Sequence, residues 1–421
     1  MKILVVGSGG REHALCWAFA KNPDRKIYCA DGNAGIAEIA ECIDIKPTQI
    51  EKLADFAETE KIDLTFVGGE SALALGIVDE FEKRGLKIIG PNKQASMLEA
   101  SKAFAKNFMS RYLIPTAKYQ VANSIEEAKA IVKSNFFGKS KIVIKADGLA
   151  AGKGVIVTDG KEEALEAINQ LQSIAGQEAT QKIILEERLI GKEISQILFC
   201  DGDNFVLMPP VRDHKRLLDG DKGPNTGGMG TIADWNLLTD EQREEIVENI
   251  VKPTLQGCKK EGLKFKGVLF LGLMLTEEGA KVLEYNVRFG DPETQVILPL
   301  LETDIFGISE AIANESLRNL EVRWSRSSAV CVVLASKGYP QNPQVGACIY
   351  GVEDVAKTKD IFVFHAGTKR NEKGKLVTAG GRVLGITAIA ENIEKAIQKA
   401  YQSVEKIRFE GMQFRRDIGA T

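Results

Sequence analysis

The sequence predicts an α/β and α+β multidomain protein led by an N-terminal doubly wound parallel sheet. Three observations predict it. At 421 residues and 44% hydrophobic, the chain is too long for one ordinary core and should divide into roughly two to four domains. Over residues 1 to about 100, short β-branched runs alternate with helical patterns, the signature of a parallel sheet wound with helices. Beyond residue 187 the pattern turns strand-rich and antiparallel-looking, which a purely wound sheet does not give.

In chain order, the first region reads as KILVV, a helix from about Glu12, KIYCA, a helix near 50 to 60, DLTFV, a helix near 73 to 84, and LKIIG. Its glycine-bearing turns, Gly7 to Gly10, Gly32 to Gly35 and Gly68-Gly69-Glu70, fall at the carboxyl ends of strands, where such sheets bind ligands. Residues 101 to about 120 read as a helix and then an extended stretch marked by Pro115. Residues 121 to 187 hold a helix opened by a capping box, Ser124 with Glu127, then a hairpin-like KIVIKADGLAAGKGVIVT, a second helix and the strand IILEE. From 188 to 322 come ISQILF and FVLMP around the turn Cys200 to Asn204, the loop GDKGPNTGGMG, a helix with a box-like start at Thr239 and Gln242, and the pair GVLFLGLML and KVLEYNV. The tail carries VCVVLAS, FVFHAG and GRVLGITA before a helix at about 391 to 407, and reads as one more small domain. The expected units are 1–102, 103–120 with 188–322, 121–187, and 323–421.

A formal charge of -3 supplies no basic stripe to follow a phosphodiester backbone, so no nucleic-acid partner is expected. The opening apolar run is broken by Gly-Ser-Gly-Gly and Arg11-Glu12-His13 before it reaches signal-peptide or membrane-spanning length, so the expected location is the cytoplasm, with no membrane association. Seven cysteines stand singly with no Cys-x-x-Cys pair, as reduced core residues do. Three histidines cannot build a histidine-clustered zinc site, so any metal is held by oxygen ligands.

The turn Gly7-Ser8-Gly9-Gly10 follows a strand and opens a helix, which aims backbone N–H groups at an anion. Glu12 stands where a dinucleotide fingerprint wants glycine, leaving a generic phosphate-binding turn, or a tight turn that merely needs small residues. The run from Ile142 to Thr158 fails as a P-loop on spacing, on Gly154 in place of Ser or Thr, and on the strand that follows. It offers instead two strands joined by a glycine-rich loop able to fold over phosphates, with Lys145 on the incoming strand. Glu284 and Asn286, at i and i+2, share one face of a strand and suit Mg2+ held jointly with phosphates; an ordinary edge strand has the same pattern. Arg288-Phe289-Gly290-Asp291-Pro292-Glu293 crowds charge just after that strand, as binding sites do. Arg212-Asp213-His214-Lys215-Arg216 could clamp an amino acid, carboxylate on Arg or Lys and ammonium on Asp; a solvated charge run reads alike.

Assembled in order, GSGGREHAL, GNAG, SKAFAK, IVIKADGLAAGKGV, DHKR, GPNTGGMG, NVRFGDPETQ, HAGT and GGRVL closely resemble the glycinamide ribonucleotide synthetase family of ATP-grasp ligases, over essentially the whole chain. The resemblance implies a phosphoribosylamine-binding N-terminal domain, a two-part ATP-grasp with a glycine-rich lid, and a small C-terminal domain. It implies ATP-dependent ligation of glycine to 5-phosphoribosylamine through glycyl phosphate, with ATP and Mg2+ or Mn2+, by a monomer or weak homodimer. By the same resemblance Lys102, Lys145 and Gly152 of the lid meet phosphates, Glu186, Glu187 and Leu189 meet adenine, and Glu193 meets the ribose hydroxyls. Glu284 and Asn286 match the metal pair and Arg288 the substrate and transition-state arginine; Asp213 and Lys215 meet glycine, and Gly9, Gly10 and Glu70 the phosphoribosyl group. Two departures stand out: Gly68-Gly69-Glu70-Ser71-Ala72-Leu73 lacks the family's two prolines, and GVLFLGLML has no acidic metal ligand. The general base for the amine is not visible, His214 being one candidate, and the chain reads as monofunctional. Rival readings are an NAD oxidoreductase, a nucleotide sensor, and a formate- or bicarbonate-using relative.

Overall fold

The computed structural model describes residues 1–138, 141–148, 154–176 and 180–420. The first region forms a five-stranded sheet of β1 (Lys2–Gly7), β2 (Lys26–Asp31), β3 (Glu41–Ile43), β4 (Leu64–Val67) and β5 (Ile88–Ile89), in the order β3-β2-β1-β4-β5. Every pairing is parallel, as the alternating pattern predicts. The first helix begins at Gly10, two residues before the expected start. The single helix expected near 73 to 84 is two, Glu70–Leu75 and Ile77–Lys83. Gly76 divides them because it adopts φ +96, a left-handed conformation that ends one helix and re-aims the next.

A second sheet is formed by β6 (Tyr119–Ala122), β7 (Ile142–Ala146), β8 (Val155–Val157) and β9 (Ile183–Glu187), ordered β6-β9-β7-β8. Its pairings are antiparallel, and helices Ile125–Lys133 and Lys161–Ala175 cover it. Ser124 accepts the Glu127 N–H as expected, but Glu127 reaches back to Asn123 N at 2.7 Å, one residue beyond a strict capping box. Residues 149–153, with Gly152 of the expected lid, lie outside the described residues.

The remaining strands are β10 (Lys192–Cys200), β11 (Phe205–Leu207), β12 (Val211–Asp213), β13 (Arg216–Leu218), β14 (Lys222–Asn225), β15 (Gly230–Ala233), β16 (Gly267–Thr276), β17 (Gly279–Asn286), β18 (Ser328–Ala335), β19 (Ile361–His365), β20 (Thr368–Arg370), β21 (Leu376–Thr378) and β22 (Arg382–Ala390). Eight of them run β17-β16-β10-β12-β15-β18-β22-β19, with β11 on β10. The tail strands therefore extend the central sheet through the pairing of β15 with β18, so the expected division near 322 falls inside one continuous sheet. The stretch read as an open glycine-rich loop is partly a hairpin, β13 against β14, because Arg216 pairs with Asn225 and Leu218 with Lys222. Leu4 and Val6 of β1 share a core with Leu198, Leu269 and Leu271, which locks the first sheet onto the large one. Among the described residues no helix is long and apolar enough to cross a membrane.

Candidate active site

The site is organised by a β-bulge in β17. Gly272 pairs with Glu284 and Leu273 with Val282, so Leu283 is an extra residue on β17. A one-residue insertion reverses the side-chain alternation. Ala280 and Val282 enter the core before the bulge, Tyr285 and Val287 after it. Glu284 and Asn286 are thereby turned off the core together. Gly272 is the residue opposite, where an added Cβ would lie 3.2 Å from Glu284 Cγ, so an acidic side chain there would crowd Glu284. Burial pushes the Glu284 carboxyl up, but Lys215, Lys145, Lys102 and Arg288 outweigh it and hold the group below the usual carboxylate range.

Arg288 is fixed from three sides. Its Nε donates to Glu70 Oε2 at 3.1 Å, its Nη2 lies 2.7 Å from Glu99 Oε1, and Nη2 also donates to Asn286 Oδ1 at 3.3 Å. Burial raises Glu70, yet Arg288 and Arg11 bring it below its ordinary value. Burial holds Glu99 above its ordinary value despite Arg288. Glu99 also accepts the Val287 N–H at 2.8 Å, so it orients both the backbone and the side chain of the neighbouring arginine. Sequence reading missed it; an isolated Glu in a short helix gives no signal. Phe289 stacks on Phe66 of β4 with centroids 6.1 Å apart, anchoring this segment on the first sheet.

Lys145 Nζ donates to Glu186 Oε2 at 3.0 Å and to Leu283 O at 3.3 Å. Lys106, 2% exposed, reaches the same carboxylate at 3.2 Å and donates to Thr116 Oγ1 at 2.7 Å. Burial opposes ionisation of Glu186, but Lys145 and Lys106 lower its pKa. Burial in turn brings Lys106 down to about 8. Lys106 belongs to SKAFAK, from which only Lys102 was singled out; one helical turn later, it faces inward. Lys102 donates to Gly148 O at 3.0 Å, at the entry to the glycine-rich run. Glu187 turns away and accepts the Lys118 N–H at 2.9 Å, Leu189 is half-buried beyond it, and Glu193 pairs with Lys215.

Asp213 lies at the end of β12, and its Oδ1 is buried with no hydrogen-bond partner among the described residues. Burial and the nearby Glu293 push its pKa well up. Gly228 presses on this carboxyl: at φ +110, an added Cβ would stand 2.8 Å from Asp213 Oδ1 and 2.6 Å from Pro292 Cδ. Glu293, 5% exposed and raised chiefly by burial, is a second acid here, the last residue of the charge-crowded run after β17, to which sequence reading gave no individual role. His214 is no candidate base. Its Nε2 accepts the Gly419 N–H at 3.2 Å and its Nδ1 lies 3.1 Å from Gly230 O, so both ring nitrogens are occupied by backbone; burial brings its pKa down to about 4.

The glycine turn after β1 is filled from within. Glu12 Oε2 accepts the Gly9 N–H at 2.6 Å while Oε1 accepts from Arg11 Nε at 2.7 Å. A Cβ at Gly68 would lie 2.1 Å from Glu12 Oε1 and one at Gly7 2.6 Å from its Cγ. A carboxylate thus occupies the space beside the turn where a dinucleotide would need its pyrophosphate, and the Gly9 amide is engaged. Gly10 abuts Gln295, whose Nε2 donates to Asp291 Oδ1 at 2.8 Å. Asp291 receives Arg382 and the Arg11 N–H, joining the first region to the tail.

Lys102, Lys145, Lys215, Glu193, Asp213, Glu284, Asn286, Arg288 and Glu70 therefore belong to one electrostatic cluster, with Gly9 and Gly10 reached through Arg11 and Asp291. Glu284 and Asn286 present oxygen donors suited to a hard divalent cation. No set of three His, Cys, Asp or Glu among the described residues converges to complete a metal site.

Residues 1–99 match the family described as phosphoribosylglycinamide synthetase, N domain; 100–294 match its ATP-grasp (A) domain and 329–421 its C domain. The chain is 49% identical to phosphoribosylamine-glycine ligase of Caldanaerobacter subterraneus subsp. tengcongensis, all of both chains being covered. It is 44% identical to the Clostridium acetobutylicum enzyme of the same name, over 100% of this chain and 99% of the relative. A crystal structure of phosphoribosylamine-glycine ligase from Thermotoga maritima is similar with a TM-score of 0.84 and 37% identity, covering 99% of this chain and 100% of that one. A biotin carboxylase domain from Hydrogenobacter thermophilus, 20% identical with a TM-score of 0.73 over 98% of this chain and 91% of its own, shares the fold.

Proposed function

The chain belongs to the phosphoribosylglycinamide synthetase family, and from that premise we propose that its cluster of lysines, arginine and acids joins glycine to 5-phosphoribosylamine. It is an ATP-dependent carbon-nitrogen ligase of purine biosynthesis, forming glycinamide ribonucleotide, ADP and phosphate. The observation that carries the residue assignment is Glu284, held ionised beneath four cations and turned with Asn286 off the core by a bulge.

A carboxylate does not accept an amine at neutral pH, so glycine is first activated at the γ-phosphoryl group of ATP. The chain's task is positioning and charge neutralisation. Lys145 and Lys102 meet the phosphates; Glu186, the backbone of Glu187 and Leu189 line the adenine end and Glu193 the ribose. Glu284 and Asn286 would hold Mg2+ or Mn2+, which when bound neutralises phosphate charge. The fit rests on two oxygen donors and an ionised carboxyl. Arg288, braced by Glu70 and Glu99, faces the transferring group. Asp213 and Lys215 receive the ammonium and carboxylate of glycine. Gly10, Glu70 and the turn containing Gly9 border the phosphoribosyl group. Attack by the amine on glycyl phosphate expels phosphate, and the site must exclude water while that intermediate persists.

We read the enzyme as a cytoplasmic monomer or weak homodimer, with functional units at 1–102, 103–120 with 188–322, 121–187 and 323–421. One assay tests the reading: ADP release with ATP, phosphoribosylamine generated in place, and glycine, formate or bicarbonate in parallel. Release with glycine alone of the three supports it, and release with formate or bicarbonate in its stead overturns it.

A further inference from the structure

The stretch from Val211 to Leu218 divides its contacts. Asp213 and Lys215 face the carboxylates Glu193, Glu284 and Glu293. Their neighbours face the other way, onto segment 415–420. Arg212 Nη2 donates to Ala420 O at 3.0 Å, Gly419 N to His214 Nε2 at 3.2 Å, and Arg415 Nη1 to Arg216 O at 3.3 Å. The hairpin beyond is clasped too: Gly220 N donates to Asp417 Oδ2 at 2.8 Å, Arg416 N to Asp219 Oδ1 at 2.8 Å, and Arg415 to Asp221 at 2.6 Å.

At the centre of the clasp Arg415, its side chain 2% exposed, meets both oxygens of Asp417 at 2.7 Å. The segment is anchored in turn to helix Ile393–Val404, since Tyr401 Oη donates to Arg415 O and accepts the Ile418 N–H, both at 2.9 Å. β12 has three residues, paired with β15 at Val211, Arg212 and Asp213 but with β10 only at Val211, opposite Ser195, so the stretch beyond Asp213 leaves the sheet and is held by segment 415–420. Yet β12 presents a buried carboxylate oxygen without a partner among the described residues, a costly arrangement that persists only where the surroundings prevent relaxation.

We propose that segment 415–420 positions the glycine-binding stretch, with Arg415 and Asp417 as positioning residues that hold Asp213 and Lys215 at the geometry glycine needs. This rests on the reading above that Asp213 and Lys215 receive glycine. Arg415 and Asp417 act through the hairpin and the backbone of Arg216, which they hold at Asp221, Gly220 and Arg216.

The test is steady-state kinetics of Arg415→Ala, Asp417→Ala and Asp213→Asn, with thermal melting and ATP affinity measured alongside. Asp417→Ala removes a partly exposed side chain and decides the matter if Arg415→Ala does not fold. The proposal expects KM for glycine to rise about tenfold or more in both clasp variants while ATP affinity changes less than about twofold, since an ångström-scale misplacement costs on this order. Added guanidinium should restore the glycine KM of Arg415→Ala. Glycine KM unchanged in the clasp variants, a rise in glycine KM matched by an equal loss of ATP affinity, or no effect of guanidinium overturns it. An unchanged glycine KM in Asp213→Asn overturns instead the underlying reading of the glycine site.

Discussion

Glu12 accepts the backbone N–H of Gly9 at 2.6 Å, so the helix that follows β1 is capped by its own third residue. The same carboxylate pairs with Arg11, which in turn donates to Phe289 O at 3.0 Å next to Arg288. A glutamate in the space of a dinucleotide's third glycine thus becomes a brace between the first sheet and the site.

Glu12→Ala should therefore destabilise the fold by about 1–3 kcal/mol, the cost of leaving a part-buried amide donor and a part-buried guanidinium without their acceptor. Urea denaturation checks this. A stability loss below about 0.5 kcal/mol, the range of an ordinary surface change, would show that the brace is incidental.

Glu284→Gln should reduce kcat by about 100-fold or more while leaving the thermal midpoint nearly unchanged, because one metal-facing charge is lost and the strand packing stays. Turnover within a few-fold of the parent at saturating Mg2+ contradicts the assignment.

Lys106 gives a pH-dependent signature. Burial lowers its pKa to about 8 in the fold, against about 10.4 when unfolded. Between those values the unfolded chain binds the extra proton, so stability contributed at this position rises with pH. Measured by urea denaturation at pH 7 and pH 9.5, the stability of the parent relative to Lys106→Met should shift in the parent's favour at the higher pH. A difference that is flat or moves the other way counts against a Lys106 whose pKa is lowered by burial.

Local pattern made much of this legible. The parallel first sheet follows from alternation of strand and helix, and the Glu284 and Asn286 pair from a two-residue period. The bulge at Leu283 that aims the pair has no such mark, since an inserted residue shows only against its partner strand. Glu99 and Lys106 were illegible for a related reason: neither carries a local mark of its role, and each acquires meaning only from an arginine or a glutamate brought from elsewhere. His214 reads as a candidate base until both its nitrogens meet backbone. The continuity of the large sheet depends on β15 meeting β18, strands separated by a long stretch of chain, and no local periodicity records that pairing.

We propose that glycine's own carboxylate takes the γ-phosphoryl group, positioned by Lys145, Arg288 and the Glu284 and Asn286 pair, and that the amine then displaces phosphate. The most direct measurement follows the carboxylate oxygen. With glycine labelled by oxygen-18 in both carboxylate positions, inorganic phosphate should gain one labelled atom for each amide formed. Unlabelled phosphate from verified labelled glycine, as phosphorylation of the enzyme followed by release to water would give, would contradict it.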